Sequence, residues 1–97
     1  MLAEIRVAPR PAGVEGDRYA YVDAAIAVIA TAGLPFQVHA LGTVVEGPAD
    51  AVWVLLRAAH EAALAAGADA TTTTMTVSQG AGDAGPTMAE LLTRYRD

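Results

Sequence analysis

The stretch Leu34-Pro-Phe-Gln-Val-His-Ala-Leu-Gly-Thr-Val-Val-Glu-Gly47 decides the fold. Phe36 and Val38 alternate with Gln37 and His39; past Gly42 the alternation resumes through Thr43, Val44, Val45 and Glu46. A period of two sends successive side chains to opposite faces, so the pattern reads as two strands joined by a very tight turn. Gln37, His39 and Glu46 then share one face, while Thr43 points to the other or sits in the turn beside Gly42.

Outward from the hairpin the period changes. On the N-terminal side Val22, Ala25, Ile26, Ile29 and Ala32 recur at i, i+3, i+4, i+7 spacing, which predicts a helix with Asp17 as N-cap and Gly33 as its left-handed C-terminal cap. Before it, Leu2 to Ala8 alternate as a half-buried strand ended by Pro9 and Pro11, and Arg10 to Asp17 read as a loop. On the C-terminal side Pro48 stands at a first-turn position and Ala49 to Ala66 form a second helix closed by Gly67. Its inward stripe is Val52, Leu55, Leu56, Ala59, Ala63 and Ala66, and another face carries Trp53, Arg57, His60 and Leu64. Ala70 to Ser78 is rich in β-branched residues and reads as a strand. Gly80 to Gly85 follows as a flexible loop, and a last helix over about 86–96 presents Met88, Leu91, Leu92 and Tyr95 as a buried stripe.

The order strand, helix, strand, strand, helix, strand is that of an α+β, ferredoxin-like βαββαβ fold: an antiparallel sheet with both helices on one face, here with an added C-terminal helix. Residues 1–97 are read as one ligand-binding domain of this kind. Ile5, Val7, Phe36, Val38, Val45, Met75 and Val77 should meet the helices. Glu4, Arg6, Gln37, His39, Val44, Glu46, Thr74, Thr76 and Ser78 should collect on the uncovered face.

Composition narrows the function. A formal net charge of -5 without a cluster of Lys and Arg argues against nucleic-acid binding, which needs phosphate neutralisation. Without cysteine there is no disulfide framework, thiolate metal site or cysteine nucleophile. No run reaches the roughly 20 apolar residues that span a bilayer, and the first residues lack the basic start and unbroken apolar run of a signal peptide, so a soluble cytoplasmic protein is expected. Hydrophobic residues make up 54% and charged residues only 18%, which leaves little charge to cover the surface and suggests burial between subunits, with alanine-rich helices as the rival explanation.

On the uncovered face Gln37, His39, Glu46, Thr74 and Thr76 offer donors and acceptors suited to a neutral or cationic heterocycle bearing an amino group. Each of them taken alone is as well explained as a solvated surface residue, and His39 as a hydrogen-bonded structural one. His60 precedes Glu61 but has no second His one turn away, so no metal site is expected. The Gly80 to Gly85 loop lacks the lysine and the strand-to-helix placement of a phosphate loop. Trp53 and Leu64 form an exposed apolar pair that would pack under the C-terminal helix or against another subunit.

Ala3-Glu-Ile-Arg-Val7, Tyr21-Val22, Gly33-Leu34, His39-Ala-Leu-Gly-Thr-Val-Val-Glu-Gly47, Ala59-His-Glu61 and Gly67-Ala68 together resemble the small thiamine-binding proteins once catalogued as a conserved domain of unknown function. The likeness runs from Leu2 to about Gln79 and is most specific at Gly42-Thr43 and Glu46-Gly47. It departs at Ala40, where a proline is frequent, and in lacking basic residues around the ends of the last strand.

The resemblance implies a ferredoxin-like subunit assembling as a homo-oligomer, a dimer or a dimer of dimers (homotetramer). It implies non-enzymatic binding of thiamine (vitamin B1) or a related pyrimidine such as hydroxymethylpyrimidine, for carriage, salvage or sensing. Thiamine would be the ligand and no catalytic cofactor is expected. Gln37, His39, Thr43 and Glu46 would lie near the ligand or a subunit contact, with Thr74 and Thr76 completing the wall. A small dimeric enzyme using His39 or Glu46 as acid or base, and a ligand-regulated interaction module, are the competing expectations.

Overall fold

The computed structural model describes residues 1–93. Its elements run β1 (Leu2–Arg10), α1 (Ala20–Ala30), β2 (Phe36–His39), β3 (Gly42–Glu46), α2 (Ala49–Ala66), β4 (Ala70–Ser78), a 3₁₀ turn (Ala81–Asp83) and α3 (Met88–Thr93). The four strands form one sheet in the order β2-β3-β1-β4, with every neighbouring pair antiparallel. This is the expected α+β, ferredoxin-like arrangement.

Register fixes which side chains share a face. Ala3 stands opposite Val45 and Val77, and Ile5 opposite Thr43 and Met75. Ala3, Ile5 and Val45 are buried, so this is the face on which the helices lie. Val52, Leu55, Leu56 and Ala59 of α2 and Ile29 of α1 complete the core. Ile29, Leu56, Val45 and Val52 are the largest fully enclosed side chains, each worth about 1.5–3 kcal/mol of transfer free energy. Phe36, Val38, Met75 and Val77 lie on the helix side as the alternation requires, yet remain partly exposed. They belong to the two edge strands, which two helices over four strands do not fully cover.

Several boundaries differ from the sequence reading. β1 continues through Pro9 to Arg10, paired with β4 up to Ala70, because β3 ends opposite Ile5 and leaves Pro9 where β1 has a neighbour on one side only. Asp17 does not cap α1. It pairs with Val14 in a tight turn, and its backbone carbonyl accepts the Ala20 N–H at 3.2 Å. Ala32 and Ala66 are exposed, since each lies at or past the last turn of its helix, beyond the sheet.

Gly67 ends α2 as expected, with φ 132° and a Cβ position only 2.9 Å from Tyr21 Oη, so backbone geometry and packing both select glycine. In α3 Met88 is buried and Leu92 half-buried, but Leu91 is exposed; Tyr95, the last member of the expected stripe, lies outside the described residues. The Gly80 to Gly85 segment is tied down rather than a featureless linker: Asp83 Oδ1 accepts from the Met1 amine at 2.6 Å and Oδ2 from the Ala49 N–H at 2.7 Å.

Candidate functional site

Across the uncovered face, register lays the polar residues out in rows. Gln37, Val44, Glu4 and Thr76 stand side by side, and Glu46, Leu2 and Ser78 form a second row. At the other end His39 pairs with Gly42, and Arg6 with Thr74. Gln37, His39, Glu46, Thr74 and Thr76 therefore do share a face. They do not converge: four residue steps along β3 separate the rows of His39 and Glu46, roughly 13 Å at the usual strand rise. Between them lies a shallow depression over Glu4, Val44, Thr76 and Ser78.

Glu46 has a specific partner. Its Oε2 accepts the Met88 N–H at 2.6 Å, which holds the start of α3 against the end of the hairpin. Thr87 Oγ1 caps the same turn by accepting from Glu90 N–H at 3.1 Å.

Thr43 faces the helices and is only 4% exposed. Across the hairpin it stands opposite Val38, while His39, opposite Gly42, belongs to the uncovered face. A cleft of about 210 Å³ opens between α1 and the hairpin, lined by Ile5, Val7, Val22, Ile26, Val38 and the turn from His39 to Thr43, with Ala25, Ile29 and Arg6 completing the wall. Its origin lies in element lengths. α1 runs back over the far end of β1, but β3 stops opposite Ile5 and β2 has four residues, so no strand of the hairpin lies under Val22 and Ile26. Both are consequently half-buried.

The turn itself is two residues long, Ala40-Leu41, and neither has positive φ, so it is not one of the primed hairpin types. Gly42 stands where a Cβ would lie 3.2 Å from Ile5 O and 3.3 Å from Glu4 Cγ. The Glu4 side chain thus crosses the glycine on the uncovered face, away from the helices. Among the described residues Thr43 Oγ1 has no hydrogen-bond partner, leaving a hydroxyl in a mostly apolar wall. The arrangement suits a flat ring with a polar edge.

The helix-side wall of Val22, Ala25 and Ile26 was legible only as core, because helical spacing does not reveal how far a strand extends beneath it. Asp83 was likewise hidden in a glycine-rich loop. Its carboxyl is held below the ordinary value of 3.8, first by the hydrogen bond from the Met1 amine and then by that from Ala49 N–H. His60 faces β4, with Nδ1 2.6 Å from Thr73 Oγ1.

Residues 3–96 match the family of thiamine-binding proteins. The chain belongs to this thiamine-binding family. It is 39% identical over 75 residues to a protein of Synechocystis sp., a match that covers 77% of this chain and 60% of that protein. The chain thus spans about three fifths of the length of that relative. Among solved structures it is similar to a domain of unknown function from Bacillus cereus, at a TM-score of 0.87 and 29% identity, covering 99% of this chain and 89% of the other. A hypothetical protein from Methanocaldococcus jannascii follows at TM-score 0.77 and 26% identity, covering 97% and 93%. These likenesses bear out the ferredoxin-like fold and the family of the sequence reading. No helix among the described residues is long and apolar enough to cross a membrane.

Proposed function

We propose that the protein binds thiamine, or its hydroxymethylpyrimidine moiety, without chemical conversion, as a cytoplasmic carrier, salvage component or sensor. The observation that carries this reading is the cleft between α1 and the hairpin, whose mostly apolar wall holds the Thr43 hydroxyl. A volume near 210 Å³ is below the roughly 300–1,000 Å³ typical of clefts that enclose a whole drug-sized ligand. One ring fits. The aminopyrimidine therefore enters between Val22, Ile26 and Val38, with its polar edge toward Thr43 Oγ1. The cationic thiazolium stays at the mouth of the cleft, toward solvent. A chain of net charge -5 favours a cation over a phosphorylated anion.

Calorimetric titration with thiamine, thiamine phosphates and hydroxymethylpyrimidine tests it. Saturable heat with thiamine and with the free pyrimidine, and weaker binding of the phosphates, is the expected result. Absence of heat and of any thermal shift at millimolar thiamine and pyrimidine overturns it.

A further inference from the structure

β1 outruns the hairpin, and the ladder fixes where its backbone groups point. The Gly47 N–H donates to Met1 O at 3.1 Å, and a Cβ at Gly42 would lie only 3.2 Å from Ile5 O. The odd-numbered residues of β1 therefore turn both N–H and C=O toward β3, and the even-numbered ones turn theirs toward β4. Pairing with β4 continues to Arg10↔Ala70, but pairing with β3 stops at Ile5↔Thr43. Val7 is the next odd residue, and its N–H and C=O aim at the place where β3 is missing.

No other segment takes the place of β3 there. Continued, the register would set Leu41 opposite Val7, but Leu41 belongs to the turn, forms no bridge to β1 and is 78% exposed. Among the described residues no hydrogen bond reaches the Val7 N–H or C=O. Pro9, the following odd residue, has no N–H to present on this side. Val7 is half-buried and lines the cleft, together with Ile5 beside it and Val22 and Ile26 of α1. Backbone groups drawn away from water are almost always paired. A bare donor and acceptor facing a mostly apolar cleft therefore mark a position for a ligand's own donor and acceptor.

Given the aminopyrimidine reading of the cleft, on which this rests, we infer that recognition is strand-like: Val7 C=O accepts from the amino group of the ring, and Val7 N–H donates to the adjacent ring nitrogen. The two backbone groups of one extended residue point the same way and are spaced for a cyclic pair of hydrogen bonds, as they are between antiparallel strands. An amino group beside a ring nitrogen offers the matching donor and acceptor in one plane. Thr43, opposite Ile5 and directed to the helices, brings its hydroxyl to the second ring nitrogen. The ligand class that follows is a 4-aminopyrimidine. Its 4-oxo counterpart carries the reverse pattern, an acceptor at position 4 and an N–H beside it, and in the same pose sets like against like. A site whose polar groups the wrong analogue leaves unpaired discriminates strongly against it.

Amide hydrogen exchange followed by nuclear magnetic resonance reads the pairing directly. In the free protein Val7 should exchange at least about tenfold faster than Ile5 and Ala8, whose N–H groups lie in the two ladders. Saturating hydroxymethylpyrimidine should slow Val7 by at least about tenfold and leave the other two unchanged. The 4-oxo counterpart should bind at least about a hundredfold more weakly. Val7→Pro deletes the N–H where β1 has room for a proline, as at Pro9, and should weaken the pyrimidine by at least about tenfold. Val7→Ala, which keeps the N–H, should weaken it less. Saturable pyrimidine binding with Val7 exchange unchanged, or with the 4-oxo ring bound equally well, overturns the inference and leaves the proposed function standing. So does a folded Val7→Pro protein that binds as Val7→Ala does; if that variant does not fold, exchange and the 4-oxo titration decide. If neither thiamine nor the pyrimidine binds, both fall.

Discussion

Glu46 Oε2 accepts the backbone N–H of Met88 at 2.6 Å, a bond that joins the end of the hairpin to the first residue of α3 across 42 positions of sequence. The carboxylate that alternation placed on the open face is thus committed to the C-terminal helix. A charge-assisted hydrogen bond of this kind contributes about 1.5–3 kcal/mol. Glu46→Ala should lower the melting temperature and raise amide exchange at Met88 to Thr93. Glu46→Gln, which keeps an acceptor oxygen, should do so less. Neither should weaken thiamine binding more than about twofold, since Glu46 does not line the cleft.

The cleft predicts the opposite ranking for binding. Thr43→Val preserves shape but removes the hydroxyl, and should weaken thiamine and hydroxymethylpyrimidine alike by about tenfold, the worth of one hydrogen bond, at little cost to stability. Val22→Phe should abolish both by filling the cavity. Glu4→Gln should leave both ligands unaffected, because Glu4 lies on the uncovered face and does not line the cleft. Parallel calorimetric titrations of the three variants check the pattern.

Thr71 Oγ1 is buried and unpartnered among the described residues. A hydroxyl desolvated without a partner costs about 1 kcal/mol or more. Thr71→Val keeps the β-branch and the strand propensity while removing that cost. The urea midpoint should rise, with an unchanged slope.

Asp83 sets the response to acid. Its folded-state pKa lies below the ordinary 3.8, lowered first by the Met1 amine and next by Ala49 N–H. A depressed carboxyl contributes stability that is present above the unfolded value and lost as pH falls through the folded one. Wild type should therefore exceed Asp83→Asn in melting temperature at pH 7, and the gap should close as pH is taken from about 4 downward. Melting curves of both proteins across that range decide it.

Much of this was legible in the chain because it depends on local periodicity. The alternation of residues 34–47 fixed the hairpin and its parity, and the helical spacing and glycine cap of residues 49–67 matched α2 from Ala49 to Ala66. The site was less legible. Gln37, His39 and Glu46 share a face as parity required, but sharing a face says nothing about distance along it, and the register spreads His39 and Glu46 to opposite ends.

By itself, then, the sequence determined the elements, their order, the inward and outward sets and the family likeness, since each rests on spacing within one segment or on residue identity. The tertiary structure decided where β3 ends against β1, and with it the cleft under α1. It also set Thr43 into the cleft wall, bound Glu46 to Met88 and Asp83 to Ala49, and left β4 at the edge of the sheet. Those outcomes depend on the relative lengths and register of segments far apart in the chain, quantities that no local period encodes.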